Sequence, residues 1–289
     1  MNDGELVRRR AKEEEDELVR RRAKEEEDEN LERLQNMFDK EVGQFSLTFN
    51  PYVWYTPIRR KLVDWICEKV DKDPFYLHRM TFHVAVFYLD RIFTSFLVKN
   101  EQTQMIAASC MFVAAKMEEK DWEFCPSIRQ IIIMCDGIYS RQTLFQTEIE
   151  ILRFFKWNMN VVTTIHFVGY FSPLILDGAK DAIDGKVIHP TQFKTIKGHL
   201  LRFAEFFSDL SLQYYEFCEY RFSAVAAACV YCSRKQLGIS PLWTLSLEMY
   251  TTYKEDEIAV IVDLLFDVYR KEFNEEDRKT HCNNNNNKK

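Results

Sequence analysis

Residues 107–119 read A-A-S-C-M-F-V-A-A-K-M-E-E. A run of small and apolar residues with no glycine or proline favours a helix, and a helix that is apolar all round must be enclosed by neighbours on several sides. The run ends in Lys116, where a cation suits the negative end of the helix dipole. Residues 223–235, S-A-V-A-A-A-C-V-Y-C-S-R-K, repeat the pattern. Laying Ala226–Cys229 over Ala107–Cys110 sets Lys235 opposite Lys116. Two copies of one central helix predict two similar helical domains in tandem, an all-α fold.

The chain of 289 residues is long enough for two domains, and 46% hydrophobic content supplies two cores. Eight glycines and seven prolines are too few for a turn-rich all-β architecture. The net charge of -6 argues against nucleic acid as the main partner. The cysteines sit mostly in apolar helical runs, where Cys behaves as a small hydrophobe. Cys229-x-x-Cys232 is the sole CxxC and has neither a second pair nor a His cluster near it, so it reads as buried helix rather than zinc or redox chemistry. Neither a signal peptide nor an apolar run of about 18 residues occurs, so a soluble protein of a reducing intracellular compartment is expected. No Gly-rich phosphate loop, H-E-x-x-H or G-x-S-x-G is present. His78 and His83 are spaced poorly for one helical face and read as surface residues. No catalytic residue, metal or cofactor is expected.

Residues 5–16, E-L-V-R-R-R-A-K-E-E-E-D, recur verbatim at 17–28. Acid-first i,i+4 pairs such as Glu5–Arg9 support a helix weakly. A twelve-residue period rotates each copy away from the last, so no apolar seam forms, and residues 1–30 read as a charged helical or disordered arm. The tail, 274–289, ends in an asparagine run and reads as disordered. Between them, helices are predicted from Thr56-Pro57, over 81–97, 103–117, 128–135 and 141–157, with Leu144, Ile151, Leu152 and Phe155 facing inward. A second set is predicted from Thr163-Thr164 to 171, over 192–208 and 218–236, from Ser240-Pro241 to about 250, and over 256–273. Residues 172–190 collect Pro173, Gly178, Gly185 and Pro190 and read as a surface loop. The boundaries expected are therefore 31–160 for the first five-helix domain and 161–273 for the second.

Several segments together resemble the cyclins, over roughly residues 31–272. R-R-K-L-V-D-W at Arg59–Trp65 and A-V-F-Y-L-D-R-I at Ala85–Ile92 look like the family's first- and second-helix motifs. A-A-K-M-E-E at Ala114–Glu119 and T-E-I-E-I-L-R-F-F-K-W at Thr147–Trp157 look like its third and fifth. F-F-S-D-L-S-L-Q-Y-Y at Phe206–Tyr215 is cyclin-like as well, and H-F-V-G-Y-F, S-L-Q-Y-Y and V-A-A-A-C-V most resemble the cyclin J branch. The resemblance implies two tandem cyclin boxes in a non-enzymatic regulatory subunit. Its partner would be a cyclin-dependent protein kinase, in the nucleus and/or cytoplasm with the nucleus favoured, in cell-cycle or meiotic control. A cyclin-fold scaffold or transcription-related factor that binds peptide or nucleic acid without a kinase is the alternative.

The resemblance carries over a small set of residues. Lys116 and Glu148 match the kinase-contacting lysine and glutamate. Phe112, Leu144 and Ile151 either supply the apolar part of that interface or belong to the core. Arg59 and Asp90 match a structural ion pair between the first two helices. Ile58, Leu62, Trp65, Glu68 and Gln104 match a patch that docks substrate or inhibitor peptides. Lys61 stands there in place of an apolar residue, a poor fit unless its ammonium snorkels to water.

Overall fold

The computed structural model describes residues 21, 24–25, 28–44, 54–72, 76–121, 123–178 and 180–286, with side chains of the last helix described to residue 273. The repeats at residues 5–28 therefore lie almost wholly outside the described residues.

The small-residue runs form the two central helices. In α4 (Thr103–Glu118), every residue from Ala107 to Ala115 is buried. In the helix equivalent to it by sequence, α9 (Phe222–Gln236), burial is continuous from Ser223 to Arg234. Around α4 pack α2 (Thr56–Val70), α3 (Arg79–Ser95), α5 (Ile128–Met134) and α6 (Arg141–Phe154). Around α9 pack α7 (Thr164–Phe171), α8 (Pro190–Gln213), α10 (Leu245–Thr251) and α11 (Glu255–Asn286). Each set has its own core, the first including Phe82, Leu89 and Met111, the second including Phe167, Phe207 and Leu265. Val161 belongs to the first core and Val162 to the second.

A further helix, α1 (residues 28–44), precedes α2 and packs on the second half. Leu34 is part of that core, and the rings of Phe38 and Phe167 lie 5.4 Å apart. The buried Glu41 carboxylate accepts from Ser223 N at 2.7 Å and Ser223 Oγ at 2.6 Å, at the start of α9. Burial pushes the Glu41 pKa up, and the hydrogen bonds from Ser223 at the helix end only partly offset it.

Local differences from the sequence expectation have physical causes. Ser240-Pro241 does not open a helix. Ser240 lies in a short strand, and α10 starts at Leu245, where Thr244 Oγ1 accepts from Leu247 N at 3.2 Å. The stretch at 172–190 is not purely loop. It holds β1 (Ala182–Ile183) and β2 (Lys186–Val187), joined at Asp184-Gly185, both at positive φ, the geometry that favours Asp-Gly hairpins. With β3 (Ile239–Ser240) they form an antiparallel sheet of order β2-β1-β3. The backbone of α11 continues through 274–286, the stretch expected to be disordered, because no Gly or Pro follows Phe273 to stop it.

Candidate partner-binding site

Lys116 occupies the last turn of α4, and Glu148 the middle of α6. Their side chains meet, Nζ to Oε1, at 2.5 Å. The ammonium also sits 3.9 Å from the centroid of the Phe112 ring, a cation–π contact that holds the lysine stem in place. The Lys116 side chain is 38% exposed and that of Glu148 only 12%. The carboxylate is therefore held in a partly dry setting beside its cation, where charge-assisted hydrogen bonds gain strength. Each group keeps unused capacity: an ammonium has three donors and a carboxylate accepts at both oxygens.

The apolar residues expected with this pair divide cleanly. Phe112, Leu144 and Ile151 are buried and belong to the core. The large apolar residues of α6 that are exposed are Phe145 and Ile149, both at 37%, which lie on either side of Glu148 in sequence. Met117, beside Lys116, and Phe124 are also exposed. The exposed apolar side chains nearest the ion pair in sequence are thus Met117, Phe145 and Ile149, with Phe124 a few residues beyond Lys116.

Arg59 and Asp90 form a bidentate pair, Nε to Oδ1 and Nη2 to Oδ2, both at 2.8 Å. Tyr55 donates its hydroxyl to Asp90 Oδ1 at 2.5 Å. Burial opposes the Arg59 charge, but Asp90 outweighs it, and the guanidinium holds its proton more firmly than usual. The third contact of Arg59, Nη1 to the carbonyl of Leu212 at 2.7 Å, reaches α8 in the second half. This pair therefore ties the halves together as well as α2 to α3.

The α2 residues Ile58 and Trp65 are half-buried, Leu62 is buried, and Gln104 lies half-buried in the first turn of α4. Glu68 is exposed and paired with Lys69 at 2.9 Å, and the Lys69 hydrogen bond lowers its pKa. Lys61 is exposed, so its ammonium stays in water.

Three buried polar groups were not predicted. Arg234, beside the Lys235 singled out by the repeat, is fully buried and paired with Asp181 at 2.7 Å. Glu41 anchors α1, as described. His83 is buried rather than superficial, because the second half packs against it through Asp209 of α8. Its Nε2 lies 3.0 Å from Asp209 Oδ1, and Arg79 reaches the same carboxylate at 3.3 Å. His166 makes a second histidine–carboxylate contact across the halves, Nε2 to Glu118 Oε2 at 3.6 Å.

Burial lowers the His83 pKa; Asp209 opposes the shift, and His166 and Arg79 add to it. The folded state thus favours the neutral ring. The unfolded chain takes up the proton first as pH falls through the ordinary value of 6.5, so stability is full above that value and is lost below it. Acidification from pH 7.5 to 5.5 is therefore expected to lower the melting temperature more in the native protein than in His83→Gln, whose amide can still donate to Asp209. Parallel pH slopes for the two proteins in calorimetry would refute the assignment.

Burial also pushes the Cys229 and Cys232 thiols up, as for small hydrophobes. Among the described residues no three His, Cys, Asp or Glu converge as metal ligands, and no helix is long and apolar enough to cross a membrane.

The family model described as the cyclin N-terminal domain matches residues 31–160, and that of the cyclin C-terminal domain matches residues 162–289. Cyclin-J of Xenopus laevis is 29% identical over 213 residues, covering 72% of this chain and 54% of that protein. The mouse cyclin-J-like protein is 28% identical over 193 residues, covering 65% and 49%. Cyclin-B1-3 of rice is 28% identical over 201 residues, covering 70% and 38%. The chain spans about half the length or less of these relatives. In three dimensions it is similar to a viral cyclin from herpesvirus saimiri, with a TM-score of 0.63, 15% identity, and coverage of 81% of this chain and 95% of the viral one.

Proposed function

The chain belongs to the cyclin family, and from that premise we propose that it is a regulatory subunit that binds a cyclin-dependent Ser/Thr kinase and stabilises its active arrangement, in cell-cycle or meiotic control. The observation that carries the reading is the Lys116–Glu148 pair, preformed at the motif positions where the resemblance expects kinase contacts.

Its mechanism is main-chain recognition. A kinase is active when its β3 lysine pairs with the glutamate of its αC helix, and αC position controls that pair. An ammonium with spare donors suits carbonyl groups near an incoming helix, and a carboxylate suits its N–H groups. Side by side they fix the helix by its backbone, while Phe145, Ile149, Met117 and Phe124 offer apolar contact. The subunit activates only to the extent that it binds the active kinase more tightly than the inactive one. The α2 patch of Ile58, Leu62 and Trp65 is the place to dock substrate or inhibitor peptides, with Lys61 pointing its charge to solvent at the rim.

The test is affinity capture from lysate with identification of recovered proteins by mass. Wild type is expected to recover a cyclin-dependent kinase. The double variant Lys116→Ala/Glu148→Ala is expected to lose recovery at least tenfold with unchanged helical circular dichroism, since hydrogen bonds to charged groups contribute about 1.5–3 kcal/mol each. Unchanged recovery by the double variant removes these residues from the interface. Capture of nucleic acid or peptide with no kinase favours a cyclin-fold scaffold instead.

A further inference from the structure

A cavity of about 250 Å³ lies between the halves, walled by α3, the start of α7, the ends of α1 and α8, and the start of α9. Most of its wall is apolar, from Val86, Phe87, Leu212, Phe222 and Val225. Two buried polar atoms of its lining have no hydrogen-bond partner among the described residues: His83 Nδ1 and Gln44 Nε2.

The chemistry of those two atoms is fixed by what their neighbours do. His83 Nε2 faces the Asp209 carboxylate, an acceptor, so that nitrogen carries the hydrogen and Nδ1 presents a bare lone pair. Gln44 Oε1 accepts from Val162 N at 3.3 Å, which orients the amide and leaves its NH2 as donor. One acceptor and one donor are thus left unmet on residues that line the cavity. Orphaned buried groups of this kind are uncommon and call for a partner. A single water needs only about 10–15 Å³ and several polar neighbours, whereas this space is more than ten times larger and mainly apolar.

The buried charges nearby are already committed. Arg59 and Asp90 neutralise each other, and Arg91 lies over the Phe87 ring and donates to the Gln44 carbonyl. Of the remaining lining residues only Glu219 carries a formal charge, and it is exposed to solvent, so the buried part of the wall favours a neutral ligand. Pockets with this composition, an apolar wall with a few fixed polar groups at a domain junction, are typical small-molecule sites.

We propose that this cavity binds a small, neutral, planar heteroaromatic molecule that donates an N–H to His83 Nδ1 and accepts from Gln44 Nε2. Its wall comes from both halves, so occupancy stabilises the junction and raises the melting temperature through linkage. The proposal is independent of kinase binding at Lys116 and Glu148.

The probe is 7-azaindole, which is neutral and carries one N–H donor and one ring-nitrogen acceptor; indole, which has the donor alone, is the control. With the full chain, 7-azaindole is expected to bind saturably, to perturb the His83 ring resonances in NMR, and to bind about fivefold or more tighter than indole. Gln44→Met is expected to remove that advantage and leave indole affinity unchanged. Val225→Phe, which fills the space, is expected to abolish both. Absence of saturable binding to wild type overturns the proposal, as does binding that survives Gln44→Met with its advantage over indole intact. Should Val225→Phe fail to fold, the Gln44→Met comparison decides the question alone.

Discussion

Replacing Arg234 by alanine is expected to cost about 3–5 kcal/mol of stability, the usual consequence of removing one member of a buried ion pair. Neither Arg234 nor Asp181 has any exposed side-chain surface. The guanidinium uses its full set of donors. Nη1 and Nη2 reach the two Asp181 oxygens at 2.9 and 2.7 Å, and they also reach the carbonyls of Ile175 at 2.7 Å and Pro241 at 2.6 Å. Nε reaches the carbonyl of Leu242 at 2.9 Å. Alanine would leave a carboxylate and three carbonyls without these donors in a dry interior, where each unmet group keeps its full desolvation cost. Urea unfolding should show the loss as a lower midpoint at constant m-value. The combination Arg234→Met/Asp181→Leu should recover part of it, because replacing a buried pair by apolar residues is far milder than breaking it. Recovery stays incomplete because the three carbonyls still lack donors. A destabilisation below about 1 kcal/mol for Arg234→Ala would show that the site relaxes or admits water, contrary to the expected loss.

Arg59→Ala is expected to be comparably severe, again about 3–5 kcal/mol, but with a different signature. Asp90 would keep only the Tyr55 hydroxyl, and the Leu212 carbonyl on α8 would lose a donor that comes from the other half. Calorimetry should therefore record a lower melting temperature, on the order of 10 °C, and a broader transition as the halves unfold less cooperatively. Arg59→Lys should fall between wild type and alanine, since an ammonium cannot reproduce the two-pronged contact with the carboxylate. A sharp, unshifted transition in Arg59→Ala would contradict the joining role.

What the sequence made legible follows from how local each signal was. The central helices were legible because enclosure on all sides demands small and apolar residues throughout, and residues 107–115 and 223–232 supply little else. Lys116 was legible because it terminates such a run. Arg234 was not, because a cation near a helix end reads as solvated, and its partner Asp181 sits in a segment whose strands are two residues long, too short to show alternation. The Asp184-Gly185 pair was the signal available there. His83 was misread because helical spacing reports one helix's own faces and is silent about a second domain packed against them. On α6, the inward set Leu144, Thr147 and Ile151 follows helical spacing, and the exposed Phe145 and Ile149 lie on the adjoining stripe with Glu148. Two apolar stripes side by side cannot be sorted into core and surface by periodicity alone.

The seat of α1 has a consequence for the order of events during synthesis. Glu41 leaves the ribosome well before the serine that receives it, which lies 182 positions downstream. Until then the helix has no surface to rest on, and Leu34 and Phe38 stay without their permanent neighbours. Docking of this helix therefore waits until the start of α9 has been made. Contacts this distant along a chain close slowly and leave apolar surface exposed meanwhile. The nascent chain carries a need for protection by chaperones that its helical content alone would not foretell.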